Sequence, residues 1–586
     1  MADPITGFLT EFWPFLLVTT AAILFIILAY YLRSKNILEK FNMSTYGPFV
    51  MWKTQRGRAL LERLAKVKWF WTLHANASLV MVIIAMVFMF AMIIMGAFSA
   101  YSTQVRPMSI QEILVIPGVN PMIPLWYGLI GLIVAVVVHE LSHGILARKG
   151  GLGVKSMGIL FLIIPVGAFV EPDEKDMKKA KRKVRTDVYA AGPGANIVVG
   201  LLCALIFSWV FIGSVAPIED GMLLTGVYKD SPSADAGITP AMEIIEINGT
   251  HISSIDDILE YRGAMPNETI PIKVMYEGEA RNYTVRSGLF ITYVQTDSGA
   301  DKAGLAPGMM IESINSTYVL CYDDFTHIME NTAAGQVING TFIERVVAQG
   351  EQANASNVHY NRVFIENIVL TDKYDEYKDM LAISDSAKDQ IEGYKGKGFL
   401  GVGTAYLGVT GVMAGAFMEG LHRPVASADS ASGALVNIVN YGVLLPLQRE
   451  FIPLQSPVSD VYEVRGPLSV LPTPVFWFLA NLFYYMFWLN ILLGTFNALP
   501  AFPLDGGFIF RDFVDFLVFK YQRRRRQAAL KKGLTPLEWK ENKYHKFPLA
   551  KYQRRKVVDY VFFAVSIVIG IAILWTVIAP YLARAV

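Results

Sequence analysis

Six stretches of mostly apolar residues, each near the ~20 residues a helix needs to cross a bilayer, constrain this chain more than any other feature. They run from Glu11 to Leu32, Ala77 to Phe98, Leu125 to Ala147, Gly192 to Gly213, Pro474 to Phe496 and Val557 to Ala579. Lipid offers no partner to an exposed backbone amide or carbonyl, so segments of this kind span as helices. Composition points the same way. Of the 586 residues, 53% are hydrophobic and 17% charged, whereas a soluble domain carries about 25% charged residues. A net charge of +2 gives no global basic surface for nucleic acid, and the two cysteines, Cys203 and Cys321, suggest neither a disulfide framework nor a thiolate metal site. Residues Met1 to Thr10 lack the basic start of a cleaved secretory signal.

Lysine and arginine in the loops set the expected orientation. The loops Arg33–Lys68, Arg148–Arg185 and Arg511–Lys556 are basic, the second through Lys178-Lys179-Ala180-Lys181-Arg182-Lys183 and the third through Arg523 to Arg526. These loops are expected in the cytoplasm, with both termini and the region from about Ser214 to Thr473 outside. Six Asn-x-Ser/Thr triplets, at Asn248, Asn267, Asn282, Asn315, Asn339 and Asn354, fall in that outer region, as acceptors facing a glycosylating compartment do.

The outer region repeats internally. Asp230-Ser231-Pro232-Ser233-Ala234-Asp235-Ala236-Gly237-Ile238 leads to Ile247-Asn248-Gly249-Thr250, and 67 residues on, Asp297 starts a similar run through Ala303-Gly304-Leu305 to Ile314-Asn315-Ser316-Thr317. Each copy reads as a loop, a short helix, a turn and a strand ending in a tight turn. The pattern resembles tandem PDZ modules, over residues 215–286 and 287–372; a generic duplicated β-rich domain is the other reading. Residues 399–450 are expected as a surface or re-entrant segment within a connecting stretch, 373–473.

The densest chemistry lies in an apolar helix, at Val138-His139-Glu140-Leu141-Ser142-His143-Gly144. Residues four apart share a helix face, so His139 and His143 can present imidazole nitrogens to one zinc ion, with Glu140 placed to take a proton from water activated there. Ionisable groups inside a span are expensive, so such a cluster implies a partner. Zinc needs a third protein ligand. Asn497-Ala498-Leu499-Pro500-Ala501-Phe502-Pro503-Leu504-Asp505-Gly506-Gly507 closes the Pro474 stretch. That stretch runs in the same direction as the Leu125 stretch, so Asp505 is expected at the depth of His139.

At these two motifs the chain resembles the site-2 protease family of intramembrane metalloproteases, on its archaeal and eukaryotic side. The resemblance implies that His139, His143 and Asp505 bind Zn2+, that Glu140 is the general base, and that Asn497 contacts substrate or oxyanion. Ala191-Gly192-Pro193-Gly194-Ala195-Asn196 is another family feature, with Asn196 close to the site. Met157 to Pro172 is too short to span as a helix and is expected to dip into the membrane. Family members carry a hairpin or loop there that pairs with an extended substrate, which makes Gly167 and Phe169 candidates; an interfacial loop is the plainer reading.

The predicted fold class is an α-helical polytopic membrane protein of about six spanning helices, with an inserted extracytoplasmic α+β region of two PDZ-like modules. The expected divisions are two N-terminal helices with a basic loop (1–120), a catalytic core (121–214), the two modules, the connecting stretch, a third core helix (474–510) and a C-terminal loop and helix (511–586). The implied partners are the lipid bilayer, single-pass membrane protein substrates and an upstream site-1-type protease, with no nucleic acid. A non-enzymatic membrane scaffold and a metal transporter are the rival functions.

Overall fold

A computed structural model of the chain describes residues 4–54, 57–102, 109–162, 164–347, 358–378, 391–427, 430, 433–434, 437–438, 441, 454–531 and 551–585. The chain divides into two units, Met1–Phe207 with Asn481–Val586, and Ser208–Ala480.

Five described helices are long and apolar enough to cross a membrane: Lys68–Ala100, Leu125–Lys149, Arg182–Ser214, Thr473–Asn497 and Arg554–Leu582. The sequence predicts a sixth, Glu11–Leu32. That stretch lies in a helix, Pro4–Ser34, whose described apolar part is the shorter Thr19–Ser34. Burial sorts the five. Leu125–Lys149, Arg182–Ser214 and Thr473–Asn497 have 44%, 39% and 50% of their apolar windows buried, against 11% and 17% for Lys68–Ala100 and Arg554–Leu582. The outer pair turns side chains such as Val87, Met95, Phe98 and Ile571 outward, the surface that lipid solvates. Close approach of the inner helices rests on small residues. A Cβ added at Gly131 would lie 2.8 Å from Leu489, and one at Gly200 2.9 Å from Ile491. Van der Waals contact of this kind drives helix association where no water is displaced.

The segment Met157–Pro172 is a hairpin, formed by the strands Val154–Leu162 and Ile164–Pro172. It belongs to a four-stranded antiparallel sheet. Met43–Tyr46 and Phe49–Thr54 form a second hairpin, and Phe49–Thr54 pairs with Val154–Leu162 from Val50↔Phe161 to Thr54↔Met157. Gly47, at φ 56°, opens the two-residue connection of that second hairpin, where a tight turn requires a positive φ. The basic loop after the first apolar stretch therefore supplies two strands. Its strands are only four and six residues long, too short for a period-2 pattern to mark them in the sequence.

Unit two holds two antiparallel sheets of like design. The first runs Glu279–Arg286, Thr269–Tyr276, Glu243–Ile247, Met222–Val227, Val409–Met413; the second runs Val358–Val369, Val337–Val347, Met310–Ile314, Leu289–Val294, Val402–Tyr406. The 67-residue offset is kept by the backbone. Asp230 and Asp297 sit at φ 63° and 64°, Asn248 and Asn315 at φ 50° and 46°. Ser231 and Ser298 cap the following short helices by accepting from the Ala234 and Asp301 amides. Asn and Asp tolerate the left-handed region because their side chains bond locally, which explains their recurrence at these turns.

Residues 402–413, expected in a surface or re-entrant segment, form the last strand of each sheet. Val402–Tyr406 pairs with Leu289–Val294, and Val409–Met413 with Met222–Val227. Both strands are glycine-containing and only five residues long, so their hydropathy resembles that of a membrane-active segment although their partners are strands. Most of residues 428–453 lie outside the described residues. Beside Val402–Tyr406 lies a groove of about 270 Å³, whose lining includes Phe325 and Met329 of the helix Tyr322–Glu330 together with Lys373 and Lys397.

Candidate active site

The histidines of the HExxH segment lie one turn apart on the helix Leu125–Lys149, with their Nε2 atoms 3.1 Å apart. Asp505 arrives from a chain segment 366 residues further on. Its Oδ2 lies 3.1 Å from His139 Nε2 and 3.3 Å from His143 Nε2. With no proton on either Nε2, three lone-pair atoms at such separations repel unless a positive centre lies among them. Donor atoms bound tetrahedrally to one zinc at about 2.0–2.1 Å are about 3.3–3.4 Å apart, so the three atoms stand close to where a single ion requires them. These three side chains form a group able to hold a metal ion.

The loop that delivers Asp505 is tightly built. The helix Thr473–Asn497 ends, the chain passes Pro500 and Pro503, and Asp505 is the first residue of the helix Asp505–Lys531. A Cβ at Gly506 would sit 1.9 Å from the Ala498 carbonyl oxygen, and one at Gly507 2.4 Å from that of Ala501. Only glycine lets these turns nest. The Phe502 amide donates to Ser566 Oγ of the C-terminal helix at 3.0 Å. Further along, Arg185 grips Asp512 through two nitrogens at 3.0 and 2.8 Å, Arg182 and Arg554 share Asp515, and Arg511 pairs with Asp559. Paired arginines and carboxylates from three helices thus fix the register of the helix that starts at Asp505.

The other candidates separate. Glu140 is half-buried, and its Oε2 accepts the Val170 backbone amide at 2.9 Å. The helix Leu125–Lys149 and the hairpin strand Ile164–Pro172 are therefore joined at Glu140 itself. Because Val170 points its amide outward to Glu140, strand alternation sends the outward backbone groups to Ala168 and Val170. It turns those of Gly167 and Phe169 inward, toward Leu160 and Gly158 of the neighbouring strand. Asn196 is fully buried, with its side-chain amide 3.3 Å from His139 Nδ1. Asn497 is not brought to the histidines by a hydrogen bond; its Nδ2 donates to the Leu493 carbonyl of its own helix at 3.0 Å.

Two contacts at the cluster come from the helix Arg182–Leu205. His143 Nδ1 donates to the Val188 carbonyl at 2.7 Å, which leaves its Nε2 with a lone pair. Gly192 faces the cluster, and a Cβ there would lie 2.4 Å from His143 Nε2 and 2.6 Å from His139 Nε2. The run of small residues at 191–195 was legible; which of them meets the histidines was not.

Apolar helices of spanning length around a His-His-Asp cluster define a polytopic membrane protein with the side chains for a metal ion. Comparison with known proteins gives the family. The model of peptidase family M50 matches residues 127–535, more than half of the chain, and the chain belongs to that family, the site-2 proteases. An uncharacterized protein of Methanocaldococcus jannaschii is 30% identical over 46% of this chain and 71% of its own length. Proteins of Mesorhizobium japonicum and Rhizobium meliloti, each named "putative zinc metalloprotease", are 25% and 24% identical over 25% of this chain. The matched part spans about half the length of these two bacterial relatives, 50% and 48%.

Proposed function

We propose that this M50 protein is an intramembrane zinc metalloendopeptidase that cuts the membrane-spanning segment of another protein. The observation that carries the reading is the convergence of His139, His143 and Asp505 within 3.1–3.3 Å of one another. Two imidazole nitrogens and one carboxylate oxygen suit zinc, with a coordination position left for a reactant. Zinc, when bound, supplies Lewis acidity that polarises a carbonyl and makes hydroxide accessible near neutral pH. Glu140 accepts the proton of the attacking water and returns it to the leaving amine. The Val170 amide holds the Glu140 carboxylate in place, and Gly192 keeps the space beside both imidazoles open.

A helical substrate hides its peptide bonds, so the cleaved segment must become extended. The outward edge at Ala168 supports this step: an incoming strand that pairs there lies two residues from Val170, whose amide is already held by Glu140. The substrate class is a single-pass membrane protein, trimmed first by another protease and cut here to release a signalling fragment. The expected test uses proteoliposomes with a single-span substrate. Cleavage stops when the metal is stripped with a chelator and returns on adding zinc. Cleavage by metal-free protein would refute the proposal, and zinc flux without cleavage would favour the transporter.

The basic loops support an orientation with the His-His-Asp cluster toward the cytoplasm and unit two outside. The groove between Tyr322–Glu330 and Val402–Tyr406 supports a PDZ-like role, in which an extended substrate segment lies along the strand edge with an acidic end at Lys373 and Lys397. One substitution reads both. In Lys397→Cys, a membrane-impermeant maleimide labels intact cells from outside, and the label raises KM several-fold with kcat unchanged. Labelling only after lysis removes the orientation, and an unchanged KM removes the groove.

A further inference from the structure

Asn196 lies one helical turn after Gly192, on the same face of the helix Arg182–Leu205. It is 0% exposed, and one end of its amide is 3.3 Å from His139 Nδ1 while its Oδ1 has no partner. Its place is fixed from behind: a Cβ at Gly494 would already touch the Asn196 Cβ at 3.2 Å. We propose that Asn196 is a positioning residue whose side-chain oxygen accepts the Nδ1 proton of His139, so that the Nε2 lone pair is held toward the metal position.

The inference rests on the zinc reading above and follows from proton placement. A neutral imidazole carries one proton, and the nitrogen opposite a metal ligand atom must carry it. His143 obeys this through the Val188 carbonyl, an obligate acceptor, at 2.7 Å. His139 has the Asn196 amide at its Nδ1, and an amide can present either end, its oxygen and nitrogen being distinguished by the hydrogen bonds they make. With nitrogen toward His139, the ring proton is forced to Nε2, between His143 Nε2 and Asp505 Oδ2 at 3.1 Å each, where it displaces any cation. With oxygen toward His139, both imidazoles offer lone pairs to one point. Either orientation leaves one end of the amide without a protein partner, so the tautomer decides and not the number of hydrogen bonds. Partners of this kind, which orient metal-binding histidines, are worth about 10–100-fold in metal affinity.

The test compares wild type, Asn196→Ala, Asn196→Asp and His143→Ala as purified full-length protein in detergent. The probes are zinc alone, with its release timed against a competing chelator, and cobalt alone, with its visible ligand-field spectrum recorded. Asn196→Ala is expected to release zinc about 10–100-fold faster and to alter the cobalt spectrum. Asn196→Asp keeps an acceptor at His139 Nδ1 and is expected to restore slow release, an outcome that a loss of packing at this position would not give. Wild-type release and spectrum in Asn196→Ala, or release from Asn196→Asp as fast as from Asn196→Ala, overturns the inference. Full zinc retention by His143→Ala overturns the zinc reading itself, which separates the two failures.

Discussion

Glu140→Gln is expected to lower turnover of a membrane-spanning substrate by at least about 10²–10⁴-fold, the usual contribution of a positioned general base, while zinc stays bound at the wild-type level. The structure makes this substitution a clean one. Glu140 Oε2 accepts the Val170 amide at 2.9 Å, and the glutamine carbonyl oxygen can accept the same bond. The strand Ile164–Pro172 then stays docked on the helix Leu125–Lys149, and His139 and His143 keep their own partners. Only the capacity to take a proton is lost. Single-turnover cleavage together with metal analysis checks this, and equal rates for the two proteins would remove Glu140 from the chemistry. Glu140→Ala is a poorer probe because it also orphans the Val170 amide, which mixes substrate positioning with proton transfer.

The second large effect is expected at a residue with no functional group. Gly192→Ala is expected to eliminate stoichiometric zinc binding, with apparent affinity reduced by more than about 100-fold and proteolysis lost with it. The added methyl would lie 2.4 Å from His143 Nε2 and 2.6 Å from His139 Nε2. Zinc–nitrogen bonds are about 2.0–2.1 Å, so methyl and ion compete for one volume. The backbone itself tolerates the change. Gly192 is inside a helix, where alanine is favoured over glycine by about 1 kcal/mol, so the folded protein should persist. A contrast is available two residues on. At Gly194 the added Cβ would strike Ser78 of the helix Lys68–Ser102 at 2.2 Å, and Gly194→Ala should lower thermal stability through helix packing. Zinc content and melting temperature of both variants distinguish the two roles. Wild-type zinc content in Gly192→Ala would place the ion elsewhere.

The site and the fold differ in how much of each the sequence displays. The spans are legible because bilayer thickness sets a length of apolar chain, and five of the six stretches appear as helices that meet it. The 67-residue repeat is legible because the same left-handed turn at Asn248 and Asn315 calls for the same residue type twice. The strands of residues 402–413 are not legible, since five-residue segments acquire their partners from chain more than 100 residues earlier, at Leu289–Val294 and Met222–Val227. The two asparagines show the same limit. Both stand in apolar helices, yet Asn196 faces His139 and Asn497 bonds to its own helix. Hydropathy does not encode which partner an asparagine side chain takes.

By itself, the sequence determined which donor atoms exist and how two of them are spaced. His139 and His143 are four residues apart, and the 3.6-residue turn of an α-helix puts residues so spaced on one face. Only the tertiary structure decided that Asp505 shares their position, that Gly192 leaves the space beside them open, and that Val170 holds Glu140. The reason is one of range. Spacing along a helix is fixed by backbone hydrogen bonds four residues apart, whereas an approach across 366 residues of chain is fixed by how helices, turns and paired arginines and aspartates pack against one another.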